Sequence, residues 1–228
     1  MSSGPAEPPP QWSNAAIVEL LTAERLRSYF AATNGEVADV MRLYEWNTEA
    51  AAAVISLISM TEVIVRNALD SALVSWSRRR HLSVSWLDAV PLDARGRADI
   101  ARARDRAAQR RPHGVHGKVI AELPFGFWRF LTASRYLTTL WIPALAVAFP
   151  HGHRDLGQRR KFVEQRMQRL SFVRNRAAHH EPIHQRDLVR DVGDAVALMG
   201  WISFDAAAWV RAREHVTAEY LNKPQVRG

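Results

Sequence analysis

Cysteine is absent from this chain. With it go disulfide staples, a thiol nucleophile and any cysteine-ligated zinc. Lysine is scarce: apart from Lys118, Lys161 and Lys223, every fixed side-chain cation is arginine. Long apolar runs are missing as well. The longest, about 136–149, contains Pro143 and falls short of the roughly 20 residues that a membrane-spanning helix needs. Residues 1–10 are rich in proline and serine and hold no apolar stretch of the signal-peptide kind. The expectation is a soluble, cytoplasmic protein without a membrane segment.

What is present is enough for a real core. The chain has 228 residues, 47% of them hydrophobic, and reads as one domain. The formal net charge of +8 makes nucleic acid a plausible partner. A preference for arginine over lysine also follows genome base composition, so charge alone establishes no function.

Residues 1–12 read as a disordered arm, 13–216 as a single all-α domain and 217–228 as a tail. Ser13 or Asn14 can cap a first helix and Thr22 a second, which ends at Asn34-Gly35. A third carries Val37, Val40, Met41, Leu43 and Tyr44. Asn47 or Thr48 then opens a long helix from Glu49 to about Arg78, favoured by alanine at 50–53. A connector follows from His81 to Pro91, and a polar helix from Asp93 to about Arg111 bears arginines at 102, 106 and 110. A loop over 111–117 and a short helix over 118–123 come next. Phe127–Phe149 is expected as an aromatic-rich helix or helix pair around Pro143. Arg159 to about His180 is a helix, and 187–199 and 204–215 close the fold. No segment alternates apolar and polar residues long enough to be a strand, so the class is all-α.

The chemistry concentrates in Ser171–His184. Phe162, Val163, Met167, Leu170, Val173 and Ala177 recur at steps of three and four, so the approach is helical. Pro182 and its bias on Glu181 end the helix nearby. His179 and His180 then fall at its last turn, where the dipole favours a cation. An arginine and a histidine at one helix end offer an anion site with a proton-transfer group beside it.

Two patterns overlap here. His180-Glu-Pro-Ile-His184 matches H-E-x-x-H, the zinc-and-base motif, which requires one continuous helix through all five residues. Pro182 in its middle removes a backbone donor and clashes with the carbonyl of Ala178, so no metal is expected. The other pattern is Arg174-Asn-x-x-x-His179. At 100° per residue, Asn175 shares a face with His179, while Arg174 lies about 140° away. One helix does not easily close Arg174 and His179 on a single phosphate, but two copies related by a twofold axis could. The plainer alternative is a basic helix end whose arginines are solvated and whose histidines cap carbonyls.

Arg174-Asn-x-x-x-His179, extended through His180, Glu181, Pro182 and Ile183, resembles the signature of the Abi-like (abortive infection) proteins of the HEPN superfamily. Leu43-Tyr-Glu-Trp-Asn47, Glu62-Val-Ile-Val-Arg-Asn67, Ala121-Glu-Leu-Pro-Phe-Gly-Phe-Trp128 and Ala148-Phe-Pro150 resemble further blocks of that family, in the same order. The resemblance implies a HEPN-like helical bundle with additional N-terminal and peripheral helices. It implies a homodimer whose motifs face each other, and cofactor-free, metal-independent RNA cleavage in phage defence or as a toxin. Whether an antitoxin or a phage trigger acts on it is left open by the sequence. Arg174 would bind the scissile phosphate, His179 or His180 would transfer the proton of the attacking 2′-hydroxyl, and Asn175 would orient them. Ile183 stands where a variant of the motif has a tyrosine modified by a nucleotidyltransferase, so that mode of control is not expected. A non-catalytic RNA- or protein-binding module is the alternative.

Around this centre, Glu62 and Arg66 are spaced i, i+4 as an ion pair, with Asn67 adjacent; they are either a plain structural pair or, as the resemblance implies, site-supporting together with Glu181. Arg176, Arg102, Arg106 and Arg110, with the run Arg78–Arg80, are solvated faces or the path of an RNA backbone. Phe125, Phe127, Trp128, Trp141 and Trp201 read as core. His113, His116, His151 and His153 read as loop residues without acidic partners.

Overall fold

In the computed structural model, which describes residues 12–80, 85–110 (Arg110 by its backbone) and 116–225, every regular element is helical. The α-helices run Asn14–Leu21 (α1), Ala23–Ala32 (α2), Val37–Arg79 (α3), Trp86–Ala89 (α4), Ala94–Arg110 (α5), His116–Glu122 (α6) and Phe125–Leu131 (α7). Leu156–Ala178 (α8), Leu188–Ile202 (α9), Phe204–Arg213 (α10) and Val216–Leu221 (α11) follow. The all-α class therefore stands. The arm over 1–11, part of the connector after α3, the loop 111–115 with His113, and the end of the tail lie outside the described residues.

The element that places everything else is α3. It is one helix of 43 residues, not two, and spans about 64 Å at the standard rise. Asn47 and Thr48 do not interrupt it, because neither acts as a cap. Asn47 is buried, and its Oδ1 accepts the amide N–H of Ile183 at 2.7 Å. The Thr48 hydroxyl donates back to the carbonyl of Tyr44 at 3.1 Å, a bond that leaves the helix intact. Trp46, Val54, Leu57, Ile58, Val65, Leu69, Leu73 and Trp76 are buried along its length. By length and composition α3 could cross a membrane: an 18-residue window has mean hydropathy 1.6, and 39% of that window is buried in this bundle.

Against α3 pack α2, α8, α9 and α11 on one stretch and α4 and α7 on another. Helix α8 buries Val163, Met167, Leu170, Val173 and Ala177, the face its periodicity predicts. Asp155 caps it, accepting the N–H of Gln158 at 2.7 Å. Charge ties α8 to α9. Arg169 clasps the buried Asp194, with Nη2 at 2.7 Å from Oδ1, and Arg186 binds buried Asp191 at 2.5 and 2.7 Å.

Two expectations are revised. The stretch expected as an aromatic-rich helix pair is α7 followed by 3-10 turns at Ser134–Tyr136 and Leu145–Ala148 and a wide π turn at Leu137–Trp141. Pro143 has no N–H to continue the helical ladder. The turn before it closes instead through Ile142 N–H to the Leu137 carbonyl at 2.9 Å. Trp141 is fully buried and its indole donates to the Leu156 carbonyl at 2.8 Å. The second revision is at the C-terminus, where α11 occupies part of the segment read as tail. The carbonyl of Glu219 accepts the Trp46 indole N–H at 2.7 Å.

Candidate functional site

Helix α8 ends in a complete Schellman motif. The N–H of Glu181 donates to the Arg176 carbonyl at 2.8 Å and that of His180 to Ala177 at 3.1 Å, the paired bonds that close such a terminus. The left-handed position of this motif is usually glycine. Here it is His180, at φ +58°. A side chain in that region costs about 1 kcal/mol or more, and such strain gathers at functional positions.

The return segment is pinned from several directions. A guanidinium N–H of Arg25, on α2, donates to the His180 carbonyl. Arg176 donates twice to the Pro182 carbonyl, at 3.1 and 2.7 Å, and pairs with Glu181 at 3.3 Å. Ile183 N–H is held by Asn47, and Lys223 Nζ donates to the His184 carbonyl at 2.5 Å. His184 is buried against Tyr29, with ring centroids 4.9 Å apart, and lies 3.3 Å from the Ser28 hydroxyl. His180 and His184 are therefore not on one helix, and the zinc-binding face that H-E-x-x-H requires does not form. Among the described residues no three His, Asp or Glu side chains gather as metal ligands.

The left-handed turn sends His180 to the edge of a cleft of about 610 Å³ between α2, α3 and the end of α8. Arg174, Ala177 and Ala178 line it from one face of α8, and Arg25 from α2. Helix α3 contributes a floor of Ala51, Ala52, Ile55 and Ile58, flanked by Tyr44, Thr48, Ser59 and Glu62. Arg174 is exposed, and the neighbour it touches is Asn175 Oδ1 at 3.4 Å. Burial pushes the Glu62 carboxyl above its usual range. The charges of Arg174 and then Arg66, with a hydrogen bond from the Phe125 backbone, pull it back.

Of the residues expected at the site, the structure brings Arg174, His180 and Glu62 to one cleft. His179 caps α8, is exposed and does not line the cleft. Asn175 is exposed beside Arg174. The expected Glu62–Arg66 pair does not close: Arg66 Nε is buried without a hydrogen-bond partner. The Glu62 carboxyl feels the charges of both Arg174 and Arg66 and accepts from the Phe125 backbone at the start of α7. Asn67 is exposed and lies about 140° around α3 from Glu62. Glu181 and Arg176 hold each other and the return segment, so Arg176 is a structural cation. Arg102 pairs with Asp99, and Arg106 binds both the side chain and the carbonyl of Glu122, at 3.1 and 2.7 Å. The first pair lies within α5, the second ties α5 to α6, and neither arginine lines the cleft; the Arg110 side chain lies outside the described set.

Phe125, Phe127, Trp128 and Trp141 are core. His116 does have an acidic partner: it begins α6 and reaches Asp70 on α3. Its Nε2 is 2.8 Å from Asp70 Oδ1, which also accepts the Trp86 indole N–H at 2.7 Å. His151 stacks on Phe204 and His153 packs against Phe162. Sequence reasoning missed Arg25, Tyr44 and Ser59 as cleft residues. Each sits on an ordinary amphipathic helix, and nothing local marks it.

Fold and site together define an all-α protein with a basic cleft at a helix terminus. The chain matches no protein-family model, no curated protein and no solved structure.

Proposed function

We propose that this cleft is the active site of a cytoplasmic, metal-independent endoribonuclease of the HEPN type, an Abi-like protein acting in phage defence or as a toxin. The observation that carries the reading is that Arg174 and His180 border one open cleft, with His180 at the left-handed position that ends α8. A guanidinium beside an imidazole is the pair that phosphodiester transfer needs.

In this reaction the ribose 2′-oxygen attacks the adjacent phosphorus and loses its proton to an imidazole. His180 is the stronger candidate for that base, because it shares the cleft with Arg174. The guanidinium stabilises charge on the non-bridging oxygens. The P–O5′ bond breaks, and the departing oxygen takes a proton from a second imidazole. The products are a 2′,3′-cyclic phosphate and a 5′-hydroxyl. In a homodimer with the two α8 ends facing each other, the second imidazole is the partner copy's. Glu62 lines the same cleft and lies within the field of the Arg174 charge.

The test is cleavage of single-stranded RNA in the presence of EDTA, with Arg174→Ala, His179→Ala and His180→Ala alongside. Loss of two to four orders of magnitude is expected for Arg174→Ala and His180→Ala, with a smaller effect at His179. An all-DNA strand is expected to be inert for want of the 2′-hydroxyl. Salt-sensitive RNA binding with no cut product would favour the non-catalytic binding module instead.

A further inference from the structure

We infer that Arg25 is a positioning residue for the His180 imidazole, supplied by a helix far from the motif in sequence. The inference rests on the nuclease reading above, and the contact it depends on is Arg25 Nη2 to the His180 carbonyl, across 155 positions of chain.

Three observations converge on it. First, His180 occupies a position where glycine would end the helix without strain, at φ +58°. A histidine kept there has its Cβ aimed by that unusual backbone. Second, both backbone polar groups of His180 are engaged. Its N–H donates to Ala177 at 3.1 Å and its carbonyl accepts from Arg25. With both groups held, the backbone on either side of the residue is fastened, and with it the Cα–Cβ bond from which the imidazole projects. Third, Arg25 is itself fixed. Its own N–H is received by the hydroxyl of Thr22 at 3.4 Å, and Thr22 is also left-handed, at φ +69°. Ser28 and Tyr29, one turn further along α2, meet His184. Helix α2 thus lies along the return segment, with Arg25 gripping the residue that borders the cleft.

Without Arg25 the His180 carbonyl loses its donor and the turn is free to relax out of its strained conformation. The experiment uses full-length protein with Arg25→Ala, Arg25→Lys, His180→Gln and the Arg25→Ala/His180→Gln double variant. Amide hydrogen exchange at residues 180–183 is measured first, because it needs no activity. Faster exchange there in Arg25→Ala, with an unchanged melting temperature, is expected. Unchanged exchange at 180–183 would overturn the inference whether or not the protein cuts RNA.

Kinetics then separate the roles. Arg25→Ala is expected to lower kcat about tenfold or more, with KM within about threefold, because a misdirected imidazole costs rate rather than binding. Arg25→Lys should recover part of that loss. The double variant should be no slower than His180→Gln alone. A rise in KM with kcat unchanged, or an equal loss in the His180→Gln background, would make Arg25 a substrate contact and overturn the positioning role. If the wild-type chain cuts no RNA while exchange responds as expected, the nuclease reading fails and the mechanical role of Arg25 stands.

Discussion

His184 sits where a positive charge is hard to keep. Burial comes first among the causes that hold its pKa below the ordinary value, followed by the nearby charges of Lys223 and Arg176. Its other neighbours are the rings and hydroxyls of Tyr29 and Ser28, and Tyr29, itself raised to about 12 by burial, stays neutral. Because the folded state binds this proton less readily than the unfolded chain, the effect on stability has a definite sign. Nothing is lost above about pH 6.5, the unfolded value for histidine. Stability then falls as pH drops from there toward the depressed folded value. Glu62 and Asp191, both raised by burial, work in the opposite sense and stabilise the fold as they are protonated. Thermal melts of wild type and His184→Asn between pH 7.5 and 5 should therefore diverge. The wild type should lose more on acidification, and parallel curves would refute this account.

Helix α8 was legible in the sequence because burial of one face leaves a period that survives translation into spacing. Val163, Met167, Leu170, Val173 and Ala177 are the buried apolar residues of the helix, and all five belong to the periodic set. The unity of α3 was not legible. Asn47 looks like a cap when only its neighbours are known, and its true partner, the N–H of Ile183, is 136 positions away. The same blindness hid Arg25. The left-handed turn at His180 was also invisible, since Pro182 announces that a helix stops but not which way the chain then leaves. Asn47→Ala should expose the point. It removes the acceptor of a buried amide, which costs about 1–3 kcal/mol. Denaturant unfolding should register that loss. In addition, exchange at Ile183 should rise more than exchange in the α8 core. A variant as stable as the wild type would mean that the bond does not hold α3 and the return segment together.

At the level of the whole molecule, the formal net charge of +8 is the surplus of arginine and lysine over carboxylates, and many of the arginines are held in ion pairs. Arg104 pairs with Asp88, Arg106 with Glu122, Arg135 with Asp93 and Arg160 with Glu164, while Arg169 and Arg186 bind buried carboxylates. Much of the arginine is internal fastening. RNA that binds through Arg174 of two facing copies neutralises about two phosphates, so log K against log salt should have a slope near −1.4 for a single strand. The complex should also contain two protomers by light scattering at micromolar concentration. A slope several times steeper, or a protein that cuts RNA as a monomer, would move the binding surface away from the α8 end.

The undivided α3 has one more consequence. A rigid rod carries a single angular scale from end to end. Inserting one residue near Met60 would swing the part of α3 beyond it by about 100° relative to the first half and push it along by about 1.5 Å. Asn47 would still face the return segment, but Glu62 would turn away from the cleft that Ala51 and Ile55 floor. Length polymorphism in this helix is thus forbidden to evolution in single steps, whereas point changes on its outer surface remain open.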